Sequence, residues 1–434
     1  MTMTTDEVPG RFRLREDWTA VALGAVLLVL IAGGWLVFQP PGFKWTMAGG
    51  PGVMFKPGVL QAMGYAGGVV VLAAVAGVFL SGERVRAGLT SQIAVVVVLA
   101  YGAQMLAGEA TVKGWGLEYV LFALVLGMIG GALGMGKVLA GAIRTELYIK
   151  TGLVLFGATI VFPELLKAGA LGLVQALGVV AVVWYVALWL SRRLKVDDES
   201  AAMLASAVSI CGVSAAIAAC GVIQGDRRKL SLITSLVMLV AMPMMVVMPW
   251  IAKWTGMPEL VAGAWFGGTL DTSGSVAAAG AQVSKAAEKI GIIVKFSQNV
   301  LIGVAALFIS VWWASRGKGE GRKVTAMVIW ERFPKFVLGF MGASLIFSFA
   351  PEWLGGEALR AEPLRKTIES WRTLWFAMAF VSIGLETRPA EIFGKGNGGT
   401  AAAFIGAQAF NVVWTLVLAW VLFSGRFFAL PVLK

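Results

Sequence analysis

The chain has 434 residues, 58% hydrophobic and 14% charged, with 36 Lys and Arg against 24 Asp and Glu and a formal net charge of +12. Soluble domains carry about 25% charged residues, so this composition excludes an ordinary soluble domain and makes lipid the solvent for much of the surface. There is no His, which removes the commonest metal ligand and the side chain that titrates near neutrality, and with it most catalytic triads.

Apolar runs of about 20 residues recur along the chain and do not alternate as barrel strands do. Helices are expected, because in lipid only helices and closed barrels satisfy their own backbone. The first run, 18–38, follows Arg11, Arg13 and Arg15 and ends in "QPPG" rather than at a small-residue cleavage site. It reads as a membrane helix with a cytoplasmic N-terminus. The stretch "GFKWTMAGGPGVMFKPG" at 42–58 reads as an interfacial loop with aromatic and Lys anchors. Runs 58–80, 91–108 and 117–136 follow. The last holds "GMIGGALGMG", whose small-xxx-small spacing (Gly127/Gly131, Gly130/Gly134) suits close helix packing. Further runs lie at 147–162, 170–190, 200–224, 230–251, 259–283, 290–313, 336–350, 371–387 and 400–424. Polar connections between them are short. The reading divides the chain into extra N-terminal membrane helices with the interfacial loop, 1–110, and a core, 111–434.

Two runs are unusual. Segment 200–224 contains "SICGVSAA", in which Gly212 can break a helix and Cys211 and Ser214 flank it. A half-helix starting there would aim free N–H groups and its positive dipole end at a ligand, which is an anion site in principle. Tight packing of small residues explains the same run without a ligand. Segment 259–283 contains "GGTLDTSGS", with Thr269, Asp271, Thr272 and Ser273 at its centre. An Asp at mid-membrane costs about 2.5–3.5 kcal/mol on insertion scales, so a functional role is its first reading. Asp271 could bind a coupling cation, carry a proton or neutralise a buried Lys; a helix cap or structural ion pair is the plainer account. In "GIIVKFSQNVLIG", 291–303, Lys295, Gln298 and Asn299 share one helix face. That face suits an oxyanion or an Asp partner, unless Lys295 snorkels to the interface.

The basic connections are "SRRLK" at 191–195, "GDRRK" at 225–229 and "SRGKGEGRK" at 315–323. Simple alternation from a cytoplasmic N-terminus puts the second of these outside, against the positive-inside bias. Either 200–224 and 259–283 are hairpins entering from opposite faces, which brings all three basic loops inside, or both cross as broken helices and the bias is overridden. Irregular backbone at that depth is tolerated only where protein or a cavity surrounds it. The stretches at 153–169 and 375–394 are weakly alike, as an internal repeat would make them. Glu386 and Arg388 are expected at the membrane surface.

In order and spacing, "SICGVSAAIAACG", "WFGGTLDTSGSVAAAGAQV" and "IVKFSQNVLIG" resemble the YeiH-like family of proposed sulfate exporters, over residues 116 to the C-terminus. The resemblance implies an inner-membrane secondary transporter, distantly similar to inverted-repeat transporters with crossed broken helices. The expected fold is all-α and polytopic, with two broken or re-entrant helices meeting at mid-membrane. The expected function is export of a small anion such as sulfate or sulfite, bound by Cys211, Gly212, Ser214, Thr269, Thr272, Ser273, Lys295, Gln298 and Asn299, with Asp271 coupling to H⁺ or Na⁺. A cation/proton antiporter using Asp271 and a non-transporting sensor or scaffold are the rivals. No enzyme, cofactor, metal or nucleic-acid partner is expected. No G-x-x-x-x-G-K-[ST] run is present, so transport would draw on an ion gradient or on the substrate gradient itself. Partners would be the anion and membrane lipid, with a homodimer left open.

Overall fold

The computed structural model describes residues 16–430 except 37, 84, 86, 115–117, 315–329, 331–332, 355–361 and 388–397. Arg11, Arg13, Arg15, the basic run 315–323 and Arg388 lie outside the described residues. In chain order the main helices are α1 (Glu16–Ala32), α2 (Pro57–Leu80), α3 (Leu89–Ala107), α4 (Tyr119–Ala132), α5 (Thr145–Gly157), α6 (Phe162–Arg193), α7 (Asp198–Ser206), α8 (Val213–Ile223), α9 (Arg227–Trp254), α10 (Glu259–Thr269), α11 (Ser273–Val283), α12 (Lys285–Ala314), α13 (Lys335–Leu354), α14 (Glu362–Glu386) and α15 (Gly398–Phe423). Each apolar run of the sequence carries a helix or a pair of helices among the described residues. Among the described residues six helices are long and apolar enough to cross a membrane on their own. The protein is an all-α, multi-pass membrane protein.

The chain forms two compact units, one from 1–162 with 335–387, the other from 163–334 with 388–434. In the first, Gly127, Gly131 and Gly136 lie against the backbone of α14 between Val381 and Leu385. A methyl group at Gly136 would come 2.8 Å from the Leu385 carbonyl oxygen, so "GMIGGALGMG" is a packing stripe, as expected. Polar groups tie the helix ends of this unit together: Lys150 Nζ lies 2.8 Å from Asp17 Oδ1, the Lys335 backbone N–H donates to Asp17 Oδ2 at 2.8 Å, and Thr145 Oγ1 donates to Glu386 Oε2 at 3.2 Å. The side chain of Glu386 is exposed. The 42–58 loop is stapled rather than loose. Trp45 Nε1 donates to the Met105 carbonyl at 2.8 Å, and Glu109 accepts from the Val112 and Met47 backbone N–H groups. The Val112 N–H bond, together with those from Thr111 and Met47, outweighs the effect of burial and holds the Glu109 carboxyl below the usual range.

The second unit is built on α6, α9, α12 and α15. Helix α15 runs antiparallel to α6: Gly399 lies at the Leu194 carbonyl, Gly406 at Leu190, and Trp414 Nε1 donates to the Gly178 carbonyl at 3.1 Å. Segments 200–224 and 259–283 are both re-entrant hairpins, which decides between the two accounts the sequence leaves open. In the first, the chain after α8 returns to the start of α7. Lys229 Nζ donates to Asp197 Oδ1 at 2.7 Å and Glu199 Oε2 at 3.1 Å, and the Asp226 N–H donates to Glu199 at 3.3 Å. Partial burial at this base works against a charged Asp197, but hydrogen bonds from Lys229 and Ser200 outweigh it and hold its carboxyl below the usual range. In the second hairpin, both legs pack on the same stretch of α12 in opposite directions. Gly263 and Gly267 of α10 lie at Ala287 and Gly291, so α10 runs parallel to α12; Gly280 and Val276 of α11 lie at Glu288 and Gly291, so α11 runs back. Small residues let these backbones approach; a methyl at Gly267 would come 2.5 Å from the Gly291 carbonyl oxygen.

The hairpins enter from opposite ends of α12. The second packs on its N-terminal half, whereas Ala215 and Ala218 of α8 cluster with Ile302 and Ala305 of its C-terminal half. The base of the first hairpin therefore lies at the end where α6 finishes, α9 and α15 begin and α12 runs out toward 315–323. The described basic connections of this unit, 191–195 and 225–229, gather there. Helix α9 runs along both hairpins and carries Pro243 and Pro249 internally. A proline has no N–H to give the carbonyl four residues back. Here Gln282 Nε2 of α11 donates to the Met245 carbonyl at 3.1 Å, filling the bond that Pro249 cannot make.

Candidate functional site

The hairpin tips meet. Tip 1 is a π-turn, Ala207–Cys211, ended by Gly212 at φ 62°, ψ −112°. Tip 2 is Leu270–Thr272, between the end of α10 and the Thr272 cap of α11, whose Oγ1 accepts the Ser275 N–H at 3.1 Å. A methyl on Gly212 would come 2.6 Å from Val237 Cγ1 and 2.9 Å from Asp271 Cβ. Both the positive φ and the contact with Asp271 demand glycine. The crossing lies beside Lys295, Gln298 and Asn299, the middle of a 30-residue helix of about 45 Å.

Turning a chain inside lipid frees backbone carbonyls, and each needs a donor. Side chains supply them. At tip 1, Asn411 Nδ2 donates to the Val208 carbonyl at 3.1 Å, Gln298 Nε2 to Ser209 at 2.8 Å, and Lys295 Nζ to Ile210 at 2.6 Å. At the end of α10, Gln298 Nε2 also reaches the Gly268 carbonyl at 3.3 Å, while Gln408 Nε2 and Asn411 Nδ2 reach Thr269 at 2.9 and 3.4 Å. Gln298 and Asn411 thus each bond both tips, and Thr415 Oγ1 donates to Asn411 Oδ1 at 2.7 Å to fix that amide. Lys295 is 1% exposed and also donates to Gln298 Oε1 at 2.9 Å. It does not snorkel.

Two helix C-termini and two helix N-termini converge here. Carbonyls of tip 1 and α10 form a negative end; the starts of α8 and α11 form a positive one. Asp271 stands directly before α11 and beside the start of α8. It is buried and within electrostatic range of Lys295, but among the described residues its Oδ2 accepts no hydrogen bond, and Lys295 donates to Ile210 and Gln298 instead. The crossing is a polar centre inside an apolar unit, where the Lys295 amine and the Asp271 carboxyl group make no hydrogen bond to each other among the described residues.

The family described as Conserved hypothetical protein 698 matches residues 88–397 of this chain. The chain belongs to that family. Relatives in it bear the name UPF0324 membrane protein: one from Rhodopirellula baltica is 38% identical over 340 residues, 76% of this chain and 62% of its own length. One from Nitratidesulfovibrio vulgaris is 37% identical over 76% of this chain and 58% of its own length. One from Nitrosomonas europaea is 30% identical over 72% and 70% of the two chains. The match thus spans about three fifths of the first two relatives. No solved structure matches.

In this UPF0324 family member the crossing brings together most residues singled out from the sequence. Gly212, Thr269, Asp271, Lys295, Gln298 and Asn299 are all buried there. Thr272 and Ser273 are half-buried at the start of α11, where Ser273 Oγ accepts from Asn299 Nδ2 at 3.3 Å. Cys211 packs with Ile210, Ala215, Ala218 and Ile302 and is in electrostatic range of Lys295. Ser214 is not brought in: α8 presents Ala215, Ala216 and Ala218 inward and leaves Ser214 exposed. Sequence reasoning missed Gln408, Asn411 and Thr415 of α15. Their signal was present as polar residues spaced i, i+3 and i+7 in "GAQAFNVVWT", but their carbonyl partners lie far away in the chain. Gln175 of α6, which donates to the Ala264 carbonyl at 2.7 Å, was missed for the same reason.

Proposed function

We propose that this protein is a secondary transporter of a small anion, sulfate or sulfite, in the bacterial inner membrane. The observation that carries the reading is the crossing itself: two re-entrant tips, a fully buried Lys295 and a separate buried Asp271 at the middle of α12. Interrupted helices meeting at mid-depth are a recurrent way to build a transport site, and ionisable groups held there at a cost of several kcal/mol mark substrate and ion paths. An ammonium has three protons; Lys295 directs two at Ile210 and Gln298. The third, with the free N–H groups at the starts of α8 and α11, is the anion-binding face. Asp271 is assigned to the coupling ion, H⁺ or Na⁺.

The inverted repeat belongs to this proposal and is supported by two hairpins entering from opposite ends of α12. The alternating step is assigned to the unit that carries both. The basic connections at the base of the first hairpin support a cytoplasmic placement for that end. Neither an enzyme activity nor a cofactor is part of the reading.

The test is uptake and efflux of radiolabelled sulfate and sulfite in proteoliposomes, with and without Na⁺ and pH gradients. The wild-type protein should move at least one of them, and Lys295→Ala should reduce movement at least tenfold while leaving the protein folded. No movement of any sulfur oxyanion under any gradient defeats the substrate claim. Cation exchange that survives Lys295→Ala favours the antiporter reading instead, which the unpartnered Oδ2 of Asp271 supports.

A further inference from the structure

The crossing carries buried oxygens without partners. Ser209 Oγ, Thr269 Oγ1, Asp271 Oδ2, Asn299 Oδ1 and Gln408 Oε1 are buried, and none has a hydrogen-bond partner among the described residues. Each belongs to a tip or to a side chain bound to one. Ser209 lies on tip 1, and Thr269 and Asp271 end α10 and form tip 2. Asn299 is bonded to Ser273, and Gln408 to the Thr269 carbonyl.

The orientation of Gln408 follows from its partner. Gln408 commits its NH₂ to a carbonyl at 2.9 Å and Asn299 commits its own to the Ser273 hydroxyl at 3.3 Å. Turning Gln408 over would set oxygen against oxygen. Gln408 Oε1 is therefore what is left over; Asn299 Oδ1 is left over in the orientation shown, in which the Ser273 hydroxyl accepts. An amide oxygen or a carboxylate cannot satisfy another of its kind, so burying Asp271 Oδ2, Asn299 Oδ1 and Gln408 Oε1 without a donor or a positive partner costs about 1–3 kcal/mol for each group.

An oxygen-only set with one carboxylate suits a hard cation of single charge. A transition metal would need His or thiolate ligands, and among the described residues no group of three His, Cys, Asp or Glu is assembled. A divalent ion would bring two charges to one carboxylate beside the Lys295 ammonium. We propose that the crossing of the hairpin tips binds Na⁺, with Asp271 Oδ2 as the charged ligand and Thr269 Oγ1, Ser209 Oγ, Asn299 Oδ1 and Gln408 Oε1 as neutral ligands. Binding stands by itself; its role rests on the transport reading. Lys295 and Asp271 cancel, so a bound anion leaves the crossing negative, and Na⁺ offsets one unit of that charge in a medium where net charge is costly. Na⁺ and anion then travel together.

The test is thermal unfolding of the full-length protein in detergent, with NaCl titrated against choline chloride at constant ionic strength and no oxyanion present. A ligand that binds the folded state raises its apparent stability. Na⁺ should give a saturable rise that choline does not. Thr269→Val, which swaps a hydroxyl for a methyl, and Asp271→Asn should each move the midpoint at least tenfold higher in Na⁺. Equilibrium binding of ²²Na⁺ to the wild-type protein gives the same answer if either variant fails to fold. No Na⁺ effect in the wild type, or wild-type midpoints in both variants, overturns the site. Sulfate and sulfite are titrated separately in choline and in Na⁺. Oxyanion binding without any Na⁺ effect leaves the transport reading standing and removes the cation site. Na⁺ binding without oxyanion binding in either salt keeps the site and removes the anion.

Discussion

Gly212 is the residue on which the crossing closes. Its φ of 62° is a conformation that side chains rarely adopt, and its missing Cβ leaves room for Asp271 on one side and Val237 on the other. An Ala there meets both objections at once. Backbone strain of this kind costs about 1–3 kcal/mol, and the contact with Asp271 adds to it. Gly212→Ala should therefore lower the midpoint of thermal unfolding in detergent, whereas Ser214→Ala, two residues on and exposed, should leave it within error. Equal behaviour of the two variants would mean that the tips do not meet as described. The sequence marks Gly212 as a break and Asp271 as costly. It does not show that one makes room for the other, because that depends on two tips separated by more than fifty residues of chain.

At the scale of elements, the helices were legible in the composition because lipid demands long apolar runs with internally bonded backbone. Whether 200–224 crossed or turned back was not. A run of that length reads the same in either case, and the return is set by remote groups: Lys229 closing on Asp197 and Glu199, and Gly263 and Gly280 both meeting α12 near Ala287. The polar partners of the turns were also hidden. Asn411 looks like an isolated amide in an apolar helix until the freed carbonyls of Val208 and Thr269 are placed beside it. The link between α9 and the second hairpin makes the same logic measurable. Gln282 serves a Met245 carbonyl that Pro249 leaves open. Gln282→Leu should destabilise the protein by about 1–3 kcal/mol. Pro249→Ala restores a backbone N–H four residues after Met245, so in that background the same change should cost less. A double-mutant cycle on unfolding midpoints reads the difference; strict additivity would show that Gln282 is not standing in for the missing donor.

At the scale of the whole molecule, the hairpins decide which surfaces face which side of the membrane. With both re-entrant, the basic connections 191–195 and 225–229 share one face with the end of α12, in keeping with the positive-inside bias. With both crossing, 225–229 would lie opposite to 191–195. Single cysteines in a Cys211→Ala, Cys220→Ala background separate the two. Glu199 and Gln224 flank the first hairpin, and Glu259 and Lys285 flank the second; Gln224, Glu259 and Lys285 are exposed and Glu199 is half-buried. In sealed inside-out and right-side-out vesicles, a membrane-impermeant thiol reagent should label positions 199 and 224 from one side and positions 259 and 285 from the other. Labelling of 199 and 224 from opposite sides would make the first segment a crossing helix and would break the geometry on which both the anion face and the Na⁺ site depend. Agreement within each pair, with the pairs on opposite sides, places the two tips between the faces of the membrane, reached by one hairpin from each side, which is the arrangement that the anion face and the Na⁺ site both require.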